Sequence, residues 1–476
     1  MNGFDTKANQ LLTPLADGLS ALVFYSVPIA GARVPLIVAW LVAAGIFFTV
    51  YLRLINFRGM AEACRILVGR RRGPGEEGQI SAWAALSTAI SGTVGIGNIG
   101  GVAVAISLGG PGATLWMLVA GLLGMATKCA ECVLGVRYRQ VDQTGEVSGG
   151  PMYYLRAGFA EYGWHRSGRV LGAFYAGAMV LGCLGIGNMF QSNQAFEQIV
   201  AASGGQASPL ANHSVAVGLV LAVAVGLVIV GGIRSIATVT TRLVPFMAIF
   251  YCLGCLVVIV LNADALPAAL VSIWEGAFSP RGMSGGVLGV MVLGFQRAAF
   301  SNEAGLGSAA IAHSAVRTHH PATEGLVALL EPFIDTVVIC TMTALVILTT
   351  VYQPMLAAGQ IQQVQGVALT SAAFASTLPW SPPAVALAAL LFAYSTMIAW
   401  AYYGLKGWSY LVGNSRGADL AFKLVYCAFV VLGCTLDLGA VLDLSDALIF
   451  VVAFPNVLGL YLLAPKIRET INDYLG

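Results

Sequence analysis

An eleven-residue stretch inside a long apolar segment constrains this chain more than any other feature. The residues from Ser91 to Gly101 read SGTVGIGNIGG and lie within an apolar segment from about residue 83 to residue 108. Such a segment predicts a membrane-spanning helix, but five glycines with Ser, Thr and Asn among them favour local unwinding. Unwound backbone at membrane depth needs hydrogen-bond partners from protein or a watery cavity. The stretch is therefore a candidate site for a small polar ligand or an ion.

The same stretch also contains the dinucleotide-binding pattern G-x-G-x-x-G, through Gly95, Gly97 and Gly100. That motif requires a preceding strand and an acidic residue about 20 positions further on. Here an alanine-rich, helix-like run precedes the glycines, and position 120 is Ala. The sequence therefore favours a broken membrane helix over a nucleotide site.

The composition indicates a polytopic, all-α membrane protein. Of the 476 residues, 58% are hydrophobic and only 10% are charged, whereas soluble domains carry about 25% charged residues. Apolar runs of about 17 or more residues predict eleven spans. Their approximate bounds are 34–51, 83–108, 113–135, 171–196, 215–230, 243–261, 285–310, 326–352, 383–405, 420–436 and 447–463.

The distribution of basic residues predicts the orientation of the chain. Most of the 24 lysines and arginines follow the odd-numbered spans, whereas loops 353–382 and 437–446 contain none. Because basic residues concentrate in cytoplasmic loops, we expect an integral plasma (inner) membrane protein with its N-terminus outside and its C-terminus in the cytoplasm. Membrane lipid is the expected surrounding. The net charge of +2 gives no reason to expect a nucleic-acid partner.

The spans show a weak internal symmetry. Without the first span, ten remain as two sets of five, and the first helix of the second set is again interrupted, at FSNEAGLGS in residues 300–308. Because five is odd, the two sets run in opposite directions, and matching interruptions in inverted halves indicate the binding site of a secondary transporter. The predicted units are 1–81 (N-terminal span and basic loop), 82–262 and 263–465 (two five-helix repeats) and 466–476 (cytoplasmic tail).

Three motifs together resemble those of the alanine/glycine:cation symporter family, also called sodium:alanine symporters. They are GIGNIGGV at 95–102, SGGPMYY at 148–154 and FSNEAGLG at 300–307, and the resemblance extends from the first span to Lys466. It implies a LeuT-type fold of two inverted five-helix repeats plus one additional N-terminal helix. It also implies Na⁺-coupled uptake of alanine or glycine by alternating access. We expect no enzymatic activity and no organic cofactor, and a monomer is compatible with this interpretation.

The expected substrate is a small zwitterion held at the two interruptions. Its carboxylate suits free backbone amides at a half-helix N-terminus, and Ile96 and Gly97 are placed for that role. Its ammonium group suits carbonyls left free near Thr93 and near the second interruption. Glycines could instead serve only close helix packing, but polar Asn98 inside the run favours a site. The predicted substrate-binding residues are Thr93, Ile96, Gly97, Asn98, Gln191, Phe300, Ser301, Asn302, Thr396 and Trp400.

The resemblance also implies a set of oxygen ligands for Na⁺. Carbonyls of Ser91 and Val94 would face the hydroxyls of Ser395 and Thr396 in the ninth span. These hydroxyls could instead bond to carbonyls of their own helix. Trp400 lies one turn below Thr396 and either walls the pocket or belongs to an interfacial aromatic belt.

Further predictions concern polar and charged side chains. Gln191, in a polar cluster of the fourth span, contacts substrate or makes a helix–helix hydrogen bond. Buried charges are usually paired or functional. We expect Lys128 to pair with Glu131 on its own helix, and Arg297 to pair with Glu331 or Asp335. Glu303 and Arg297 are the candidates for structural or gating roles, and Glu303 could help to hold a cation. His313, His319 and His320 are expected on a solvated loop.

Other functional classes remain alternatives. A related carrier could take another small solute, such as serine or glutamine, or use protons. A membrane enzyme would need intramembrane histidine pairs for haem, and the histidines are predicted at loop positions. A channel would be expected to use a pore ring from several chains rather than two central interruptions in one chain.

Overall fold

The structure is a computed structural model, and it describes residue 14 and residues 17–29, 32–69, 78–143, 145–279, 286–361 and 366–476. These residues are almost entirely helical. The α-helices, in chain order, are α1 Leu36–Tyr51, α2 Ile55–Arg58, α3 Met60–Leu67, α4 Ala82–Thr93, α5 Gly100–Gly109, α6 Gly112–Arg137, α7 Pro151–Glu161, α8 His165–Leu184, α9 Phe190–Ala202, α10 Ser214–Ile229, α11 Gly232–Leu261, α12 Leu266–Phe278, α13 Gly286–Asn302, α14 Ser308–His313, α15 Pro321–Ala328, α16 Leu330–Pro332, α17 Thr341–Thr349, α18 Tyr352–Ala357, α19 Val367–Thr377, α20 Pro382–Val412, α21 Arg416–Gly433, α22 Leu438–Leu462 and α23 Ala464–Leu475.

Short irregular helices and two hairpins complete the described fold. Segments of 3₁₀ helix lie at Ile96–Asn98, Gly205–Ala207 and Ala263–Ala265, and π-helical segments lie at Gly185–Met189 and Phe333–Cys340. The strands form two antiparallel pairs, β1 (Ser26–Ile29) with β2 (Ala32–Pro35) and β3 (Gln140–Val141) with β4 (Val147–Ser148).

Each of the eleven predicted spans coincides with one helix or with a run of helices. By length and apolar composition, six helical runs among the described residues are able to cross a membrane, or eight if each of two bent pairs is one span. Shorter helices such as α10 do not reach that length. The number eleven and the boundaries of the two repeats therefore stay predictions.

The first interrupted helix is broken as its glycines predict. Helix α4 ends at Thr93, and Gly95 adopts an extended conformation with φ −134° and ψ −156°. A 3₁₀ turn leads into α5, and the axes on either side of the break differ by 59°. We call this segment, residues 94–99, the first break.

The second interrupted helix is broken at the matching position. Helix α13 ends at Asn302 and α14 begins at Ser308. Between them Glu303, Gly305 and Gly307 have φ values of +58°, +94° and +78°, which is the left-handed region that favours glycine. We call residues 303–307 the second break. Both breaks are thus confirmed.

The two breaks lie in the centre of the helical bundle. Helix α6 packs against α13, α14 and α15, while α20 packs against α4, α8 and α9. Every residue from 84 to 107 is buried. Large apolar side chains are instead exposed on α10 and α11, for example Val220, Leu227 and Phe246, as expected for surfaces that face lipid.

Candidate functional site

Side chains bind two backbone amides of the first break. The Gly95 amide donates to Asn98 Oδ1 over 2.9 Å, and the Ile96 amide donates to Gln191 Oε1 over 3.1 Å. Gln191 in turn donates to the carbonyl of Ile186 in a π-helical segment over 3.0 Å. The structure therefore brings Gln191 to the amide that was predicted to bind a carboxylate.

Asp335 joins the first break to α13, the helix that precedes the second break. Its Oδ1 accepts from Asn98 Nδ2 over 2.6 Å, and its Oδ2 accepts from the hydroxyls of Ser301 and Thr336 over 2.9 and 2.7 Å. The carboxylate is fully buried. All of these donors are neutral, so the expected arginine partner of Asp335 is wrong. Sequence reasoning placed this residue among the buried charges and left it out of the site.

The hydroxyls predicted for sodium lie where α4 meets α20. Thr396 Oγ1 donates to the Ser91 carbonyl over 3.0 Å, and the Ser91 hydroxyl donates to the Ser395 carbonyl over 2.6 Å. The Ser395 hydroxyl instead donates to the Phe392 carbonyl of its own helix over 2.9 Å. Val94, the residue that caps α4, is fully buried. The structure thus brings Thr396 to Ser91, while Ser395 makes the alternative helical hydrogen bond.

Trp400 connects the last turn of α4, which precedes the first break, to the second break. Its indole Nε1 lies 3.2 Å from the Gly92 carbonyl and 3.0 Å from Glu303 Oε1. The side chain is fully buried, so the interfacial-belt interpretation is wrong. A methyl group on Gly187 would collide with the indole. This glycine therefore allows the close approach of Trp400 to the π-helical segment.

The remaining predicted residues line the same region. Phe300 packs edge to face on Phe190 with ring centroids 5.2 Å apart, and it lies against Gly97. Asn302 Nδ2 donates to Thr336 Oγ1 over 3.0 Å. The Thr93 hydroxyl makes long hydrogen bonds to carbonyls of its own helix, so it does not reach the second break here.

Two buried glutamates hold the second break. Glu303 accepts hydrogen bonds from the Ser308 hydroxyl and from Trp400. Glu131 Oε1 accepts from the amides of Gly305 and Gly307 over 2.8 and 3.1 Å, and from Asn456 Nδ2 over 2.8 Å. The amides exposed by the second break are therefore bound by the protein's own carboxylate. Sequence reasoning missed this role of Glu131.

The predicted charge pairs are wrong. The Lys128 ammonium lies 3.4 Å from Glu331 Oε2, whereas Glu131, its predicted partner, binds the amides of the second break. Arg297 forms a buried ion pair with Asp446 of α22, and not with Glu331 or Asp335. Its guanidinium also lies 5.4 Å from the centroid of the Phe300 ring. These partners come from helices far apart in the sequence, so local spacing could not identify them.

The position predicted for His313 is also wrong. This residue ends α14, is fully buried, and lies between Glu324 and Glu331. A signal was present in the sequence, because a spacing of seven residues puts these two carboxylates on one face of a helix.

The family of the chain follows from a comparison over nearly its whole length. The model of the sodium:alanine symporter family matches residues 24–476. The chain belongs to the sodium:alanine symporter family. This symporter is therefore a membrane protein that couples amino-acid transport to a cation, and it is not an enzyme.

The names of two relatives of this symporter refer to different substrates. Sodium/alanine symporter AgcS of Methanococcus maripaludis is 38% identical, over 90% of this chain and 92% of its own. Probable sodium/glutamine symporter GlnT of Bacillus subtilis is 32% identical, over 92% of this chain and 87% of its own. Family membership therefore establishes the class of transport and leaves the particular amino acid open.

A solved structure gives the fold of this symporter. The structure of MhsT in complex with L-phenylalanine is similar with a TM-score of 0.58 at 14% identity, and the match covers 84% of this chain and 99% of that chain. This likeness confirms the LeuT-type fold predicted from the resemblance.

Proposed function

We propose that this symporter couples Na⁺ to the import of a small neutral amino acid, alanine or glycine, across the plasma (inner) membrane. The proposed orientation has the N-terminus outside and the C-terminus in the cytoplasm. The observation that carries the proposal is the hydrogen bond from the Ile96 amide to the Gln191 carboxamide oxygen. A helix broken at membrane depth presents this amide, and a carboxylate oxygen of the substrate can take the position of the Gln191 oxygen.

The surroundings of the Ile96 amide support a small substrate. Phe300 and Phe190 pack on each other beside the first break, and Trp400 lies between the two breaks. All three side chains are buried. A pocket bounded by these rings accommodates hydrogen or methyl more readily than a long side chain, because closely packed interiors resist extra volume.

The contact between Thr396 and Ser91 supports the proposed sodium site. A hard cation prefers oxygen ligands, and this site would offer the Ser91 and Val94 carbonyls with the Thr396 and Ser395 hydroxyls. Thr396 already points its hydroxyl at the Ser91 carbonyl. Sodium would draw α4 and α20 together beside the substrate, so each ligand would tighten the binding of the other.

Replacing Thr396 with alanine is the first test of this proposal. We expect the sodium concentration that gives half-maximal alanine uptake to rise at least about tenfold, because the hydroxyl ligand is lost and an oxygen contact to an ion is worth about 1.5–3 kcal/mol. The measurement is uptake into proteoliposomes over a sodium titration. Thr238→Ala is the matched control, since Thr238 is exposed on α11 and bonds only to its own helix. An unchanged sodium dependence in Thr396→Ala would remove the ion assignment.

Competition by unlabelled amino acids distinguishes the proposed substrates, alanine and glycine, from alternatives such as glutamine. Excess glycine is expected to block uptake of labelled alanine, whereas glutamine is expected to compete weakly because of its longer side chain. The name of the glutamine relative makes this the relevant comparison. Strong competition by glutamine, or alanine accumulation without a sodium gradient, would contradict the proposed function.

A further inference from the structure

A fully buried histidine lies between two carboxylates beyond the second break. His313 Nδ1 is 2.7 Å from Glu324 Oε2, and His313 Nε2 is 2.6 Å from Glu331 Oε1. All three side chains are buried, and the two glutamates lie on successive parts of one long helical run, Pro321–Thr349. We call His313, Glu324 and Glu331 the buried triad.

The geometry of the buried triad fixes its proton content. An ionised carboxylate only accepts hydrogen bonds, and a neutral imidazole donates from only one of its two nitrogens. Both ring nitrogens nevertheless lie at hydrogen-bond distance from a carboxylate oxygen. The triad therefore holds one proton more than a neutral histidine and two carboxylates would hold. Without that proton, a nitrogen lone pair would face a carboxylate oxygen in a medium of low dielectric constant, which is costly.

The titratable groups around the triad do not remove its need for the extra proton. Helix α6 contributes Lys128, which lies 3.4 Å from Glu331, and the thiol of Cys132, which lies within 4.8 Å of ligand atoms of both His313 and Glu331. Helix α4 has no titratable side chain. The ionisable groups further out on α6, α7, α20 and the second break are Glu131, Tyr154, Tyr403 and Glu303. Lys128 offsets one of the two carboxylate charges, and the extra proton offsets the other.

The triad ties the second half-helix of the broken span to its neighbours. Helix α14 follows the second break directly and ends at His313. Its first residue, Ser308, is bound to Glu303, and the chain after it is held by Arg139, which donates to the carbonyls of Ser314 and Val316 over 3.1 and 2.6 Å. In the proposed orientation this end of the molecule faces the cytoplasm. Alternating access requires one bundle to rock or gate against the other, and on this side the triad joins α14 to the helical run that carries Glu324 and Glu331.

We propose that the buried triad is a proton-binding latch that holds α14 closed, and that loss of one proton releases α14. The closed state binds the extra proton and the open state does not. Raising the pH therefore shifts the symporter toward the state open on this side, and lowering the pH keeps it closed. The sidedness of the latch rests on the proposed orientation, but the latch itself depends on neither the sodium site nor the choice of amino acid.

The test is hydrogen–deuterium exchange of residues 308–320 in the purified full-length protein, followed by mass spectrometry over a pH series and corrected for intrinsic exchange. In the wild type, protection of this segment is expected to fall as the pH rises, by up to about tenfold per pH unit, because one proton leaves on opening. In Glu324→Gln the carboxamide can donate to Nδ1 while Nε2 donates to Glu331. Both contacts then form without the extra proton, so protection is expected to stay high at every pH.

A second variant and a control complete the design. His313→Gln removes the proton site, and its segment is expected to be weakly protected at every pH. His165→Gln, which changes an exposed histidine at the start of α8, is expected to keep the wild-type pH dependence. A wild-type profile that does not change with pH, or a Glu324→Gln profile with the wild-type slope, would overturn the latch. This readout requires no transport, so it distinguishes a failed latch from a failed assignment of sodium or alanine.

Discussion

Gly95→Ala is expected to lower sodium-driven alanine uptake by roughly five- to 150-fold, because overpacking costs about 1–3 kcal/mol. A methyl group on Gly95 would lie 2.6 Å from the Thr396 hydroxyl and 3.1 Å from Gln191 Oε1. These two groups belong to the proposed sodium and substrate positions, so the added volume displaces both. The backbone at Gly95 is extended, with φ −134°, and any residue adopts that conformation. The expected defect is therefore steric, and it should appear in sodium and alanine affinity together.

Gly101→Ala is the matched control for this substitution. Gly101 lies in the same interrupted span. Among the described residues, no heavy atom beyond its chain neighbours and the backbone of its own helix lies within 4 Å of the position of an added methyl group. Alanine also has the higher helix propensity, so Gly101→Ala is expected to transport like the wild type. Uptake is measured in proteoliposomes at equal amounts of reconstituted protein. Equal uptake by Gly95→Ala and Gly101→Ala would show that the first break is not the site of binding.

Asp335→Asn is expected to lower the efficiency of uptake at least about tenfold, because hydrogen bonds to a charged group contribute about 1.5–3 kcal/mol. Asp335 accepts from Asn98, Ser301 and Thr336, which come from the first break, from α13 and from its own helix. An asparagine has one carboxamide oxygen for these donors, and its NH₂ group has to face one of them. The charge-assisted hydrogen bonds that join the first break to α13 are then replaced by weaker neutral ones.

Asp264→Asn provides the comparison for Asp335→Asn. Asp264 is exposed in a 3₁₀ turn after α11, so the substitution removes the same charge without affecting either break. The thermal stability of both variants should be measured beside uptake, since a folding defect would lower both quantities. A stable Asp335→Asn protein with wild-type kinetics would contradict the role of Asp335 as the connection between the first break and α13.

The parts of the site that depend on local sequence could be predicted. Glycines mixed with small polar residues gave the position of both breaks, because weak helix propensity is a local property. The contact between Thr396 and Ser91 came from the resemblance to a family with a known arrangement of helices. Neither prediction required knowledge of the contacts between side chains of different helices in this chain.

The parts that depend on packing between distant helices could not be predicted. Arg297 and Asp446 are 149 positions apart, and Glu131 reaches the second break from 174 positions away. Charge alone allows many pairings of buried residues. The positions of the helices determine which of these pairings form, and a single sequence does not contain that information. His313 was missed for a different reason: the residues after it have the polarity of an ordinary loop, and the spacing of Glu324 and Glu331 on one helix face was overlooked.

The carboxylate of Glu131 makes the two inverted halves chemically unequal. It accepts hydrogen bonds from the amides of Gly305 and Gly307 at the second break, while the Ile96 amide at the first break donates to the neutral Gln191. Under the proposed function, the substrate carboxylate would therefore bind the Ile96 amide, where it replaces a neutral oxygen, rather than the second break, where a carboxylate is already bound. Each amino acid would consequently bind in one orientation, and its side chain would always contact the same side of the pocket.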